Sequence, residues 1–229
     1  MIPQFLLLLL LLSLPGLSVN GEHPIETDAT RAPTLATGGT CVIRDVIIHS
    51  AVGPAARGDV LVRDGKIAAV GEVGDVGDAT VLEGRGMHLA PGAIDCHSHM
   101  AIHGGINEGT ESITVECDIS DEVDPDDIAI YRALAGGTTT ARLLHGSANT
   151  IGGRHEVIKL KVGRTEDELR FEGAREGVKF ALGENVKRST SSRRSDRVPA
   201  TRMGVEAVLQ RAFERAREYR AEWQAFDAA

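Results

Sequence analysis

The chain has 229 residues, of which 42% are hydrophobic and 3% are aromatic, and its formal net charge is −8. This composition is typical of a globular protein with one or two domains, and the acidic balance argues against nucleic acid as a partner. Three cysteines, Cys41, Cys96 and Cys117, are too few and too scattered for a disulfide framework or a CxxC zinc site. We therefore expect a folded protein with free thiols.

The N-terminal segment has the pattern of a signal peptide. Residues 5–12 form an unbroken apolar run, followed by small and polar residues. This run is far shorter than the roughly 20 residues that span a bilayer. We predict a signal peptide over residues 1–20, export to the periplasm or the extracellular space, and no membrane span after cleavage. A retained anchor or a misassigned start codon is the alternative. Residues 21–40 lack periodicity and are predicted to be a linker.

A group of short strand signals follows the linker. These signals lie at residues 41–48, 58–62, 66–71 and 80–83. Asp64-Gly65 is typical of a two-residue hairpin turn between the second and third strands. Four short strands at close spacing predict a small sheet, so residues 41–89 are interpreted as part of a β-sandwich.

The pattern changes after residue 89, where strands begin to alternate with helices. We predict a buried strand at 93–97, further strands at 138–144, 156–162 and 177–182, and an amphipathic packing helix from Val205 to Trp223. A helix is predicted to begin with Asp124 as N-cap and Pro125 at its first position, and to end at Gly136-Gly137. This alternation predicts a parallel sheet or barrel over residues 90–229.

His97 and His99 stand at the end of the first predicted strand of this region. Residues two apart on a strand face the same side, so the two imidazoles and the Asp95 carboxylate share one face. Two imidazoles on one face can bind a single Zn²⁺. A lone His-x-His pair is a weak signal, but a pair that follows an apolar strand and a Pro-Gly turn favours a metal site.

The segment 90–99 resembles the P-G-x-I-D-x-H-x-H signature of the amidohydrolase superfamily, in its imidazolonepropionase-like branch. Residues 64–71 are similar to that family's D-G-K-I-x-x-V-G hairpin. The resemblance implies a (β/α)8 TIM barrel, here truncated to about its first half and preceded by part of a small β-sandwich. It also implies one or two Zn²⁺ ions, or another divalent metal. A metal-activated hydroxide would then cleave a carbon–nitrogen bond in a small-molecule amide, cyclic amide or dipeptide.

Lys179 is the further metal ligand that the resemblance implies. Binuclear members of the family carry a carboxylated strand lysine that bridges two metals, in a segment similar to Gly177-Val178-Lys179. A neutral amine is needed for that modification, and burial beside cations lowers a lysine pKa. A surface lysine is the alternative, and Glu184 is the alternative bridging ligand.

Several loop residues are weaker candidates for substrate contact. His103 and His145 lie in loops after strands, which is the active face of a barrel, and the resemblance places the loop 146–153 in the substrate pocket. Four arginines could receive a substrate carboxylate, although a solvated loop is the favoured interpretation. These are Arg188, Arg193, Arg194 and Arg197.

The family mechanism also needs two later histidines and a late aspartate. No histidine follows His155, and Asp227 lies beyond a helix and not at a strand end. A (β/α)8 barrel typically needs about 250 residues, whereas roughly 140 follow Pro91. The alternative expectation is therefore a truncated, catalytically inactive exported fragment, or one half of a split enzyme. The sequence leaves the oligomeric state open.

Overall fold

The structure is a computed structural model that describes residues 26–32, 34–187 and 197–229. The predicted signal peptide and Arg188, Arg193 and Arg194 lie outside the described residues. The chain divides into two compact units, Met1–Ala36 and Thr37–Ala229. Where the first unit is described, it contains one helical turn, α1 (Asp28–Arg31), in a segment predicted to be linker. No helix in the described ranges is both long and apolar enough to cross a membrane.

The second unit begins with a five-stranded sheet that confirms the four predicted strands. Its strands are β1 (Cys41–Ile48), β2 (Ala56–Arg63), β3 (Lys66–Gly71), β4 (Thr80–Glu83) and β5 (His88–Leu89). The order is β3-β2-β1-β4, with β5 also paired to β1. Asp64 and Gly65 both have positive φ, as a two-residue hairpin between antiparallel strands requires. The strands predicted from the hydrophobic pattern and the turn predicted from Asp64-Gly65 are therefore both present in the structure.

Two smaller sheets form the remainder of the unit. Their strands are β6 (Ala93–Ser98), β7 (Thr138–Leu143), β8 (Ile151–Arg154), β9 (Glu156–Lys159) and β10 (Val178–Phe180). The orders are β6-β7-β9 and β10-β8. Among the described strands of these two sheets, β6 and β7 pair in parallel, whereas β7–β9 and β8–β10 are antiparallel. The predicted parallel sheet is therefore wrong beyond β7. A parallel pairing needs a long crossover, and no helix separates β7 from β9.

The helices of this unit are a 3₁₀ helix (Ile119–Glu122), α2 (Ile128–Ala135), α3 (Glu166–Leu169) and α4 (Arg202–Asp227). Helix α2 starts later than predicted because Asp127, not Asp124, is its N-cap. The Asp127 Oδ1 accepts from the Ala129 N–H at 2.9 Å, while Asp124 accepts from the Asp126 N–H in the preceding turn. The predicted end at Gly136-Gly137 is confirmed.

Burial differs from expectation in two places. Strand β6 was predicted to be buried, yet Ile94 is 65% exposed. The reason is that β6 is an edge strand whose only described neighbour is β7. Helix α4 buries Val205 and Val208, but its apolar stripe is exposed from Phe213 onward. The prediction of a packing helix therefore holds only for its first turns.

Candidate metal centre

The carboxyl end of β6 carries both histidines of the His-x-His pair. The Leu144 N–H donates to the Ser98 carbonyl at 3.0 Å, which ties this end of β6 to the end of β7. The His97 and His99 ring centroids are 5.2 Å apart, with the ring planes at 88°. Two imidazoles on one tetrahedral cation, each with a metal–nitrogen distance near 2.0–2.1 Å, would place their ring centres about 5 Å apart. The spacing of the two rings therefore fits a shared cation.

The His99 ring is oriented by a backbone carbonyl. Its Nδ1 donates to the Leu144 carbonyl at 2.8 Å. This bond places the hydrogen on Nδ1 and leaves the lone pair on Nε2. Metal-binding histidines commonly donate their second ring nitrogen to a carbonyl or carboxylate in this way. His99 therefore has the tautomer and the support that a metal ligand needs.

The His97 ring meets a lysine from a distant strand. The Lys179 Nζ lies 3.2 Å from the His97 Nε2, and Lys179 is only 9% exposed. The Lys179 charge is the main cause that lowers the pKa of His97. Burial, followed by the charge of Arg142, lowers the pKa of Lys179 itself. Both shifts favour the neutral forms that bind metal or react with CO₂.

Asp95 supports the backbone of this pair. Its Oδ1 accepts from the His97 N–H at 3.0 Å. The carboxylate also raises the pKa of His97, but the lowering effect of Lys179 is larger. Asp95 therefore holds the position of His97 without making it a cation.

Glu184, the alternative bridging ligand, has other partners. Its carboxylate forms an ion pair with Lys187 and lies 3.9 Å from the Arg202 Nε. The Glu184 side chain is 63% exposed, and the Lys187 contact lowers its pKa. The structure therefore brings Lys179, and not Glu184, to the histidine pair.

The two loop histidines that are candidates for substrate contact lie in different surroundings. His145 is buried, with Nδ1 bonded to the Gly146 carbonyl at 2.9 Å and Nε2 accepting from the Glu108 N–H at 2.8 Å. Both ring nitrogens are therefore occupied by backbone, and the side chain has a structural role. His103 is exposed and lies 3.5 Å from Asp124.

The expected pocket loop 146–153 is mostly buried, and its end belongs to β8. It therefore packs inside the unit and does not form an open wall. Arg197 was expected in a solvated loop, but it donates to the carbonyls of Gly109, Glu111 and Ala148. Burial lowers the pKa of Arg197. This arginine therefore connects the loops around residues 110 and 148.

Arg142 and His155 were missed by sequence reasoning. The Arg142 Nε and the His155 Nδ1 are buried without a hydrogen-bond partner among the described residues. Neither residue belongs to a motif, and the pairing of β7 with β9 and of β8 with β10 is what brings them near Lys179. Their neighbourhood is set by long-range contacts, so the sequence alone carries no signal for it.

The described part of the chain contains no group of three or more His, Cys, Asp or Glu side chains placed to hold one metal ion. The centre that the geometry supports therefore consists of two imidazoles and one amine. Such a set can bind a cation, and carboxylation of the amine would add an oxygen ligand.

Comparison with known proteins gives the lineage of this site. No family model matches the chain. The chain is 35% identical over 182 residues to the amidohydrolase tasK of Hapsidospora irregularis, covering 69% of this chain and 18% of that protein. An amidohydrolase structure from Thermotoga maritima superposes with a TM-score of 0.72 at 33% identity, covering 80% of this chain. The chain belongs to the amidohydrolase superfamily.

Other members of the superfamily match shorter segments. A dihydroorotase of Caldanaerobacter subterraneus is 29% identical over 131 residues, covering 51% of this chain and 30% of that protein. An allantoinase of Bacillus velezensis is 42% identical over 59 residues, covering 24% of this chain and 13% of that protein. The chain spans 49% of the Thermotoga amidohydrolase and less of these curated relatives. The similarity that shows superfamily membership therefore covers only part of the length of each relative.

Proposed function

We propose that this chain supplies metal-binding residues of a hydrolase that cleaves carbon–nitrogen bonds in small-molecule amides. One observation carries the proposal: the Lys179 Nζ lies 3.2 Å from the His97 Nε2, across 82 residues of sequence. This contact fits a metal centre, because both side chains offer nitrogen ligands in their neutral forms and the pKa of each is lowered. The similarity to an allantoinase and a dihydroorotase adds support for this class of reaction.

The residues have separate roles in this proposal. His97 and His99 would bind the cation through Nε2, while the Leu144 carbonyl and the Asp95 carboxylate hold them in position. Lys179 would provide an oxygen ligand to the cation after carboxylation. A divalent cation held there, which we propose to be Zn²⁺, supplies Lewis-acid activation of water and of the amide carbonyl.

The proposed fold is about the first half of a (β/α)8 barrel, preceded by part of a small β-sandwich, in which β6 and β7 are the first two parallel strands. The TM-score of 0.72 to an amidohydrolase supports this arrangement. In such barrels the carboxyl ends of the strands form the active face. His97, at the carboxyl end of β6, is consistent with that location.

The proposal is tested by metal binding and turnover in one set of samples. Purified chain would be titrated with Zn²⁺ and assayed on an N-acetyl amino acid, a prolyl dipeptide and a cyclic amide, with and without chelator. His97→Ala is the test variant, and His103→Ala, an exposed loop histidine, is the control. Metal-dependent hydrolysis that His97→Ala abolishes supports the proposal. Turnover that resists both chelator and His97→Ala would show it to be wrong.

A second candidate is a metal-binding module without hydrolytic activity. It is favoured by the absence of a three-ligand group in the described ranges and by the open edge of β6. The same samples separate the two candidates. Zn²⁺ binding that depends on His97, with no turnover on any of the three amides, identifies the module.

Export through residues 1–20 is a further part of the proposal, supported by the apolar run at residues 5–12. The test is expression of the full sequence followed by N-terminal sequencing of the product. A mature N-terminus close to residue 20 in the exported fraction is expected. Retention in the cytoplasm with an intact N-terminus would contradict export.

A further inference from the structure

Arg142 on β7 lacks the counter-charge that a half-buried arginine normally has. Its Nε is buried without a hydrogen-bond partner, and none of the described residues forms an ion pair with it. An unpaired charge in a partly buried position is costly, so an arginine held there ordinarily meets an anion. The anion that would satisfy Arg142 is therefore supplied from outside the described residues.

The guanidinium lies close to the strand that carries Lys179. A Cβ at Gly177 would stand 3.0 Å from the Arg142 Nη2 and 2.5 Å from the His155 Nε2. Gly177 thus leaves space that these two side chains fill. Gly177 directly precedes β10 and is two residues before Lys179. Arg142 and His155 therefore pack at the start of the strand that carries the lysine.

These three basic side chains lie near one another, and none is hydrogen bonded to a carboxylate within the described ranges. Burial, followed by the Arg142 charge, lowers the pKa of His155, while the Glu156 and Asp118 carboxylates act on the same ring and raise it. A planar guanidinium has the geometry to bind a carboxylate with two parallel hydrogen bonds. The chemistry that fits this cluster is thus a carboxylate.

We propose that Arg142, assisted by His155, binds a carboxylate group beside Lys179. This inference rests on the proposed function, because it concerns the same site. Two sources of the carboxylate are possible. In the first, CO₂ reacts with the neutral Lys179 amine, so that an N–C bond forms, one proton leaves to solvent and the product is an anionic carbamate. In the second, the carboxylate belongs to a bound small molecule.

The first arm of the test detects the lysine carbamate. The full chain with Zn²⁺ and ¹³C-bicarbonate would be examined by ¹³C NMR, with Lys179→Gln to assign the carbonyl signal. Arg142→Gln is expected to need at least about 10-fold more bicarbonate for the same signal, since a charge-assisted bidentate pair is lost. Arg220→Gln removes the same charge from an exposed arginine of α4 and is expected to leave the signal unchanged.

The second arm uses N-acetylglycine as a carboxylate probe, in metal-free and CO₂-free buffer. Binding, measured by calorimetry, is expected to weaken at least about 10-fold in Arg142→Gln and to stay unchanged in Arg220→Gln. Thermal unfolding checks that each variant folds. If Arg142→Gln does not fold, Arg142→Lys decides, because it retains the charge and loses the two-pronged geometry.

Either dependence on Arg142 supports the proposal. The first arm identifies the lysine carbamate as the bound carboxylate, and the second identifies a carboxylate ligand. The proposal is wrong if both readouts are the same in wild type and in the Arg142 variants, or if wild type shows neither signal nor binding. Failure of the proposed function looks different, because Zn²⁺ binding would then be unaffected by His97→Ala while probe binding still depended on Arg142.

Discussion

Two pairs of histidines stand at strand ends in different parts of the second unit, and they differ in orientation more than in spacing. His49 follows β1 and His88 lies on β5, with ring centroids 5.1 Å apart and planes at 24°. His97 and His99 on β6 have centroids 5.2 Å apart and planes at 88°. Distance between the rings alone does not distinguish the two pairs.

The hydrogen bonds of the two pairs explain the difference. The His49 Nε2 lies 2.7 Å from the His88 Nδ1, so one ring donates its N–H to the lone pair of the other. That bond uses a lone pair that a metal would need. The His97 Nε2 also has a partner, the Lys179 Nζ, so the contrast lies in His99, whose Nδ1 donates to the Leu144 carbonyl and whose Nε2 keeps its lone pair. The comparison shows that supporting partners, more than proximity, prepare a histidine pair for a cation.

Zn²⁺ affinity gives the largest expected contrast between the pairs. We expect His97→Ala to weaken Zn²⁺ binding by on the order of 100-fold, because it removes a ligand whose partner is held by a backbone carbonyl. His49→Ala is expected to change the affinity by less than about 3-fold, since it removes one member of an exposed, mutually bonded pair. Competition with a chromophoric chelator measures both. An equal loss in His49→Ala would remove the distinction between the pairs.

The second prediction concerns the support of the His97–His99 pair. The Asp127 Oδ1 caps α2 at Ala129, and its Oδ2 accepts from the Ala101 N–H at 2.6 Å, just beyond His99. Asp127→Ala should lower the free energy of unfolding by about 1–2 kcal/mol, through the lost cap and a lost bond to buried backbone. Urea denaturation provides the measurement.

Asp124→Ala is the matched control, because Asp124 was the N-cap expected from sequence, but its carboxylate accepts from the Asp126 N–H in the preceding turn and lies 3.5 Å from the His103 Nδ1. Its cost should stay below about 1 kcal/mol. A larger cost for Asp124→Ala than for Asp127→Ala would contradict the observed start of α2.

The two regions also differ in how far sequence predicts them. The strands from 41 to 71 follow from local alternation and from the Asp64-Gly65 turn, because antiparallel neighbours along the chain need only local information. The strand at 80–83 was also predicted, but its parallel pairing with β1 is not indicated by any local pattern. His97 and His99 were recognisable from local information as well, since two residues on one strand share a face. The contact of His97 with Lys179 was expected only through family resemblance.

Pairing between strands that are distant in sequence explains the errors in the sequence-based predictions. Strand β8 was interpreted as a loop, and β9 was placed in a parallel sheet, because neither pattern reveals which strand it will pair with. Arg142 and His155 gave no sequence signal, since their neighbours come from β10. The position of Asp127 as N-cap was missed because four acidic or turn-forming residues in succession offered several equivalent starts.

The third prediction concerns the effect of the Lys179 charge on the pKa of His97. That charge is the main cause that lowers the pKa of His97, so Lys179→Gln should raise that pKa. NMR titration of the imidazole protons measures the change, with His49 and His88 as internal references that should not move. A His97 titration unchanged in Lys179→Gln would contradict the contact between the two side chains.

The same shift affects stability in a defined pH window. Because the pKa of His97 is lower in the folded state than its ordinary value of 6.5, the unfolded chain binds more protons between those two values. The free energy of unfolding therefore decreases as the pH falls from 6.5 through the folded pKa. In Lys179→Gln this contribution to the decrease should be smaller, as measured by urea denaturation at a series of pH values.

The smallest expected effect is a tautomer preference. The bond from Nδ1 to the Leu144 carbonyl requires that neutral His99 carry its hydrogen on Nδ1, and ¹⁵N NMR of the ring nitrogens distinguishes the two tautomers. The bond between His49 and His88 can form in two ways: His49 donates from Nε2, or His88 donates from Nδ1. Either tautomer assignment satisfies the contact. His99 has no such choice. If neutral His99 carried its hydrogen on Nε2, the lone pair would face the carbonyl, and the orientation that separates this pair from the other would no longer favour a cation.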